Sequence, residues 1–203
     1  RIGSRSVQPG SREATFEYDL LNRLVRIVPG DTQASIAYHY DQTDQDHGHG
    51  IGRLTGIEEP DSQIQYRYDA LGLVEEDRRV MRIDGAEYRL DSQYRYTAAG
   101  QVSSITYPNG QTIDYRYQHG QIRNIDLQPQ TDSRLTHLIS DIRYLPFGAA
   151  NYWRAGNGLQ SDYHHDQDGR IDSIELGRDQ NDTPLWQWRY EYDPFNNITQ
   201  VRN

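Results

Sequence analysis

The sequence contains no cysteine and no lysine, and it has one methionine, three phenylalanines and three tryptophans in 203 residues. Without cysteine there is no disulfide framework, no thiolate zinc site and no thiol nucleophile. Cysteine usage therefore says nothing about redox compartment. No apolar run approaches the roughly 20 residues of a helical membrane span. All 21 basic residues are arginine, set against 30 acids, for a net charge of −9. An acidic chain repels phosphate backbones and anionic lipid surfaces, which disfavours general nucleic-acid binding and membrane-surface binding. The hydrophobic share of 34% is low, so a conventional core would be thin. Arg1 rather than Met opens the chain and no signal-peptide pattern follows, so the sequence reads as a piece of a longer polypeptide.

What the chain does have is tyrosine, which supplies 16 of its 22 aromatic residues (with 3 Phe and 3 Trp). A phenol carries a large apolar body and a polar tip, so a tyrosine-rich interior can be packed and still partly wet. Such aromatic content argues against disorder. The arginines suit fixed pairs with Asp and Glu, because the planar guanidinium matches a carboxylate.

The tyrosines recur in pairs. Phe16-Glu17-Tyr18-Asp19, Tyr38-His39-Tyr40-Asp41, Tyr66-Arg67-Tyr68-Asp69, Tyr94-Arg95-Tyr96-Thr97 and Tyr115-Arg116-Tyr117-Gln118 follow one another. Tyr163-His164-His165-Asp166 is a degenerate copy, and Tyr190-Glu191-Tyr192-Asp193 ends the series. The 48-residue step from Tyr115 to Tyr163 is long enough to hide a diverged copy. A second element follows each pair, as in Asn22-Arg23-Leu24 with Ile27, Gly52-Arg53-Leu54 with Ile57, Gly100-Gln101-Val102 with Ile105, Gly120-Gln121-Ile122 with Ile125 and Gly169-Arg170-Ile171 with Ile174. Turn signals follow in Pro29-Gly30-Asp31, Pro60-Asp61-Ser62 and Pro108-Asn109-Gly110.

Period-two tyrosines put both rings on one face of a strand. Asp followed three residues later by Gly or Asn predicts a type I turn with the left-handed residue at its end. The Leu/Ile segment is then a return strand, and the Pro turn starts the next hairpin. One feature breaks strict alternation: the apolar residues of the return strand are three apart. A β-bulge in each return strand would restore them to one face and would bend the sheet.

Tyr-x-Tyr-Asp, a turn, Gly-Arg-Leu, Ile and a Pro-Asn-Gly turn together resemble the YD repeat of RHS proteins. Tyr144-Leu145-Pro146-Phe147-Gly148, then Gly156-Asn157-Gly158, resembles another stretch of that family. The resemblance covers Phe16 to about Val201. It implies an all-β fold, a curved antiparallel meander of β-hairpin repeats forming an arc or spiral of a shell. In bacterial RHS toxins and the large subunits of insecticidal toxin complexes such a shell encloses a C-terminal toxin; teneurins share the repeats. The family's self-cleaving closing element is absent here, since no Asp-Pro-x-Gly-Leu occurs and Asp193-Pro194-Phe195-Asn196 fits a turn. The resemblance thus implies a structural, non-catalytic segment of a secreted or cell-delivered bacterial toxin, whose partners are the rest of its polypeptide and the toxin cargo. Residues 1–203 are expected to be one array of about seven or eight repeats, with irregular inserts near 42–50, 127–140 and 177–183. Its structural positions would be Tyr18, Asp19, Tyr38, Tyr40, Asp41, Tyr66, Tyr68, Asp69, Tyr94, Tyr96, Tyr115, Tyr117, Tyr163, Tyr190, Tyr192 and Asp193.

Chemistry has weaker claims. His47 and His49 with Asp44 and Asp46 offer metal-ligand types without fixed geometry, and a solvated polar loop is the favoured reading. Asp166-Gln167-Asp168-Gly169 looks like the start of a calcium loop, but Gly177 stands where the bidentate acid is needed, so the repeat's own turn is favoured. Glu58/Glu59 and Glu75/Glu76 are adjacent, and strand neighbours point to opposite faces, which does not suit a glycosidase pair. No Gly-x-Ser-x-Gly elbow or Gly-rich phosphate loop is present. No catalytic residue, cofactor or metal is therefore assigned. Trp153, Trp186 and Trp188 are the candidate ligand contacts of an alternative, a carbohydrate- or protein-binding module. Because lysine does not guard the sheet edges, self-association through a terminal strand near Phe16–Tyr18 or Tyr190–Tyr192 is expected.

Overall fold

The computed structural model describes residues 14–30, 34–131, 134–146, 148–178 and 183–203. These residues form sixteen β-strands in a meander, and none of them is helical. The chain divides after Gly110 into two compact units. The first holds β1 (Ala14–Tyr18), β2 (Leu24–Pro29), β3 (Ile36–Tyr40), β4 (Leu54–Glu58), β5 (Ser62–Tyr68), β6 (Val74–Ile83), β7 (Ala86–Tyr96) and β8 (Val102–Thr106). The second holds β9 (Thr112–Gln118), β10 (Gln121–Gln128), β11 (Thr136–Tyr144), β12 (Ala150–Ala155), β13 (Gln160–His165), β14 (Ile171–Gly177), β15 (Trp186–Tyr192) and β16 (Ile198–Arg202). Within the first unit each strand pairs antiparallel with the next. The second unit follows the same rule.

The turns follow from the repeat. Asp69 Oδ1 accepts the backbone N–H groups of Leu71 and Leu73, both at 2.9 Å, and Gly72 N donates to the Asp69 carbonyl at 3.0 Å. Gly72 closes the turn with φ +79°, a conformation cheap for glycine. The same bonds recur at Asp19, Asp166 and Asp193, and Thr97 supplies its hydroxyl where Asp is missing. The hairpin β9–β10 uses a shorter turn, with His119 and Gly120 both at positive φ.

The anticipated bulges are present. Arg67 faces Glu76 and Tyr68 faces Val74, so Glu75 is the extra residue. The same step leaves Val25, Thr55, Ser103, Arg123, Asp172 and Thr199 as extra residues in their return strands. The consequence is visible in the pairing: Leu54 lies opposite Tyr40, and Ile57 opposite Tyr38. Residues three apart thereby share the tyrosine face.

The core is thin, as the composition requires. Among the described residues Ile142 and Tyr152 are the buried hydrophobic side chains, and the repeat tyrosines are half-buried. Cohesion has to come largely from backbone ladders and polar bonds between strands.

Three expectations need correction. First, the stretch from Asp44 to Gly50 is solvated only in part: Asp44, Gln45, Asp46 and His49 are exposed, but the segment is docked on β5. His47 is buried, its Nδ1 lies 2.6 Å from Asp44 Oδ1, and Gly48 bridges in parallel to Tyr68. Tyr68 N donates to the His47 carbonyl and His49 N to the Tyr68 carbonyl, at 3.0 and 3.1 Å. The insert thus satisfies backbone groups at the end of β5, and a buried backbone needs such partners. A Cβ at Gly48 would stand 2.3 Å from the Tyr68 oxygen, so only glycine permits this approach. Second, much of residues 127–140 is strand. β10 runs to Gln128 and β11 starts at Thr136, because Leu127 pairs with Thr136 and Asp126 with His137. Third, Tyr190–Tyr192 is not an outermost strand. Ile198–Arg202 pairs beyond it as β16, after a turn at Asp193–Asn197. Asp31, Phe147 and residues 179–182 of the expected turns and inserts lie outside the described residues.

Candidate functional site

The repeat residues converge on one recurring joint. The second tyrosine of a pair donates its hydroxyl to the carbonyl just before the bulge of the preceding return strand. In the first unit Tyr40 bonds Leu24 O at 2.9 Å, Tyr68 bonds Leu54 O at 2.6 Å and Tyr96 bonds Val74 O at 2.7 Å. In the second unit Tyr144 bonds Ile122 O and Tyr192 bonds Ile171 O, both at 2.8 Å. These carbonyls sit where the bulge breaks the regular ladder, so the phenol provides a partner that a neighbouring strand does not. Tyr144 also locates the copy hidden in the long step: β11–β12 carries Ile142 at the first position and Leu145 in place of the turn acid.

An arginine completes the joint. Arg23 Nε bonds Asp19 of its own turn at 2.7 Å, Nη2 reaches Asp41 of the next turn at 2.6 Å, and Arg23 Cζ lies 4.4 Å from the centroid of the Tyr40 ring. Arg170 repeats this with Asp166, Asn196 and the ring of Tyr192, at 2.7, 2.8 and 4.7 Å. Arg53 donates to the Gly72 carbonyl at 3.2 Å and lies 5.6 Å from the Tyr68 centroid. Arg123 reaches Asp141 and the Ile142 carbonyl. Where an arginine follows the turn, at Arg23, Arg53 and Arg170, it is thus a connector between hairpins; Leu73, Gln101 and Asn197 hold that position at other turns. Sequence reasoning assigned it only a general role in ion pairs, because the partner lies 18 to 26 residues away.

Electrostatics favour the charged turn acids and the neutral phenols. The backbone bond from Arg23 holds the Asp19 carboxyl below its usual value, and the Arg23 side chain does so for Asp41. Burial would raise Asp166, but its bonds from Arg170 outweigh that and lower it. The Asn197 side chain lowers Asp193. Burial raises the phenols of Tyr40, Tyr68, Tyr96 and Tyr144. Burial and then the 3.0 Å bond to Asp77 push Tyr94 up to about 12.

A raised phenol pKa stabilises the fold below the unfolded value near ~10, and that contribution is lost as pH rises through the folded value. Loss of strand circular dichroism is therefore expected between pH ~10 and about 12, in step with the ionisation of the raised phenols. Gradual tyrosine ionisation with the strand signal intact would contradict the joint.

The remaining candidates fall on the same face or apart from one another. Register places Trp153, Ser161, Leu176 and Trp186 in one row, beside Tyr163, Ile174 and Trp188. All three tryptophans therefore belong to the tyrosine face. Trp153 packs on Tyr163 at 4.9 Å and Trp186 on Trp188 at 4.7 Å, while Trp188 remains 38% exposed. Glu58 faces His39 and Glu59 accepts from Ser62, while Glu75 and Glu76 pair with Arg67 and Arg78. These acids do not converge. Among the described residues no group of three or more His, Asp and Glu could hold a metal.

Two buried acids, Asp77 and Asp126, escaped the sequence reading. Asp126, fully buried on β10, places Oδ1 2.5 Å from His137 Nδ1 and Oδ2 2.8 Å from Arg116 Nε. Arg116 on β9 and His137 on β11 meet on this carboxylate, so the trio ties β9, β10 and β11 together.

No protein-family model and no curated protein matches the chain. Solved structures do. A crystal structure of TcdB2-TccC3 with Cdc42 superposes with a TM-score of 0.82 at 18% identity, over 95% of this chain and 10% of that one. TcdB2-TccC3 without its hypervariable C-terminal region gives 0.82 at 19% identity, again over 95% and 10%. A Photorhabdus luminescens Tc holotoxin pore carrying a TccC3 substitution gives 0.80 at 18% identity, over 95% and 10%. The chain spans about a tenth of the length of these structures. The fold of this chain is thus the antiparallel hairpin meander found in the TcdB2-TccC3 chains, as its tyrosine repeats imply.

Proposed function

We propose that this chain is a non-catalytic stretch of wall in an RHS-type shell that encloses or displays a C-terminal toxin, secreted or delivered by a bacterium. The observation that carries the reading is the joint: tyrosine hydroxyls, turn acids and arginines are consumed in fastening each hairpin to the one before it. A chain that invests its polar groups this way builds a surface rather than a reactive cleft. Residues 14–203 act as one repeat array in this reading, with the tyrosine face turned towards the interior. Its partners are the remainder of the same polypeptide and the toxin, and it needs no cofactor.

The test uses the natural full-length polypeptide under limited proteolysis. The segment that follows the repeats should resist cleavage in the parent protein. It should become sensitive when Asp172 is deleted from this stretch, a change that leaves the cargo sequence intact. Equal cleavage of the cargo in both proteins would refute enclosure.

A further inference from the structure

The first unit exposes a strand edge that is internal to the chain. β6 and β7 are the longest strands of that unit and form a hairpin closed by Asp84 and Gly85, both at positive φ (51° and 79°). A two-residue turn of this kind makes Ile83 and Ala86 a hydrogen-bonded pair. Alternation then directs the backbone groups of Glu87, Arg89 and Asp91 away from β6. β8 covers β7 only from Gln93 onward, where Gln93 pairs with Thr106. Glu87, Tyr88, Arg89 and Leu90 are all exposed, and among the described residues no strand pairs with their outer side. The edge is nevertheless held firmly from behind, since β6 pairs with β5 from Val74 to Met81 and Arg82 N bonds the Asp61 carbonyl at 2.8 Å. A fixed, exposed edge without lysine or proline is a template for another strand.

The side chains along it specify the occupant. We infer that the 86–90 edge of β7 pairs antiparallel with the same edge of a second copy of this chain, about a two-fold axis through Tyr88. In that register Glu87 of each copy lies opposite Arg89 of the other, giving two opposite-charge pairs at hydrogen-bonded positions. Tyr88 meets Tyr88 at the closer, non-hydrogen-bonded position, and Ala86 meets Leu90. Tyr88 is 50% exposed, Leu90 37% and Ile83 52%, so the pairing removes apolar surface from water as well. The arginine is available for exchange. Arg89 leans on Asp91 at 2.9 Å and Arg82 on Glu87 at 3.8 Å, pairs largely open to solvent and therefore weak. Shifting the axis to Arg89 would oppose Arg89 to itself and Glu87 to Asp91, which like charge disfavours.

The pattern allows a charge-exchange test by analytical ultracentrifugation of the whole chain. The wild type should show a concentration-dependent dimer. Arg89→Glu, which sets Glu87 of each copy against another carboxylate, should raise the dissociation constant at least about tenfold, and Glu87→Arg should do the same. An equimolar mixture of the two single variants should associate, because each then meets its opposite. The double variant Glu87→Arg/Arg89→Glu should recover the homodimer. Circular dichroism should show all four proteins folded, since these side chains are exposed. A monomeric wild type, a dimer indifferent to Arg89→Glu (pairing through β1 or β16 instead), or single variants that fail to associate when mixed would each overturn the inference.

Discussion

Deleting Asp172 should destabilise the protein by about 2–4 kcal/mol, whereas Asp172→Ala should change its stability by less than about 0.5 kcal/mol. The side chain is exposed. Its importance lies in the count of residues. Asp172 is the extra residue that lets Ile171 sit opposite His165 and Ile174 opposite Tyr163. Without it, either Ile171 or Ile174 turns to the other face, Ser173 leaves its buried place, and Tyr192 loses the Ile171 carbonyl at 2.8 Å. One half-buried isoleucine turned outward costs roughly 1–1.5 kcal/mol, and the hydroxyl and carbonyl left without each other cost about 1–3 kcal/mol, which together set the size of the effect. Urea unfolding of the two variants measures it. Similar midpoints would mean that the bulge does not set the register.

Tyr68→Ala should cost about 2–4 kcal/mol, the largest loss among single side-chain truncations of the repeat tyrosines. Tyr68 carries more than its ring. Its hydroxyl bonds Leu54 O at 2.6 Å and Arg53 lies over its face, while its backbone bonds to His47 and His49 remain in the variant. The ring is only half-buried, so the cost falls below that of a fully enclosed aromatic. Tyr68→Phe keeps the ring and removes the hydroxyl, leaving one carbonyl without its partner, at about 1 kcal/mol. In a chain of this size 1 kcal/mol moves the melting temperature by about 2–4 °C, within reach of calorimetry.

How much of this was legible in the sequence depends on the range of the interaction. Period two in Tyr38-His39-Tyr40 and the three-residue spacing of Leu54 and Ile57 together required a bulge, and a bulge is what Thr55 forms. Asp69 and Gly72 wrote their turn locally, so residues four apart sufficed to read it. Interactions between hairpins were not readable. The partner of Arg23 is Asp41 and that of Arg170 is Asn196, chosen by the way hairpins stack rather than by spacing. Tyr144 was hidden because Ile142 and Leu145 replace the residues that mark its siblings. The insert at Asp44–Gly50 looked polar and hence solvated, but its polar groups are the means of docking on Tyr68. Asp126 gave no sign at all, since burial of an acid depends on where His137 and Arg116 fall in the register.

The central claim is that the second tyrosine of a pair fastens one hairpin to the one before it through a backbone carbonyl, a bond that Tyr38 and Tyr66 do not make among the described residues and that Tyr94 replaces with one to the Asp77 carboxylate. The most direct measurement is the unfolding free energy of single Tyr→Phe variants at both positions. The joint predicts a loss of about 1 kcal/mol at Tyr40, Tyr68, Tyr96, Tyr144 and Tyr192, and less than about 0.5 kcal/mol at Tyr38 and Tyr66. Equal losses at first and second positions, or none at either, would contradict it.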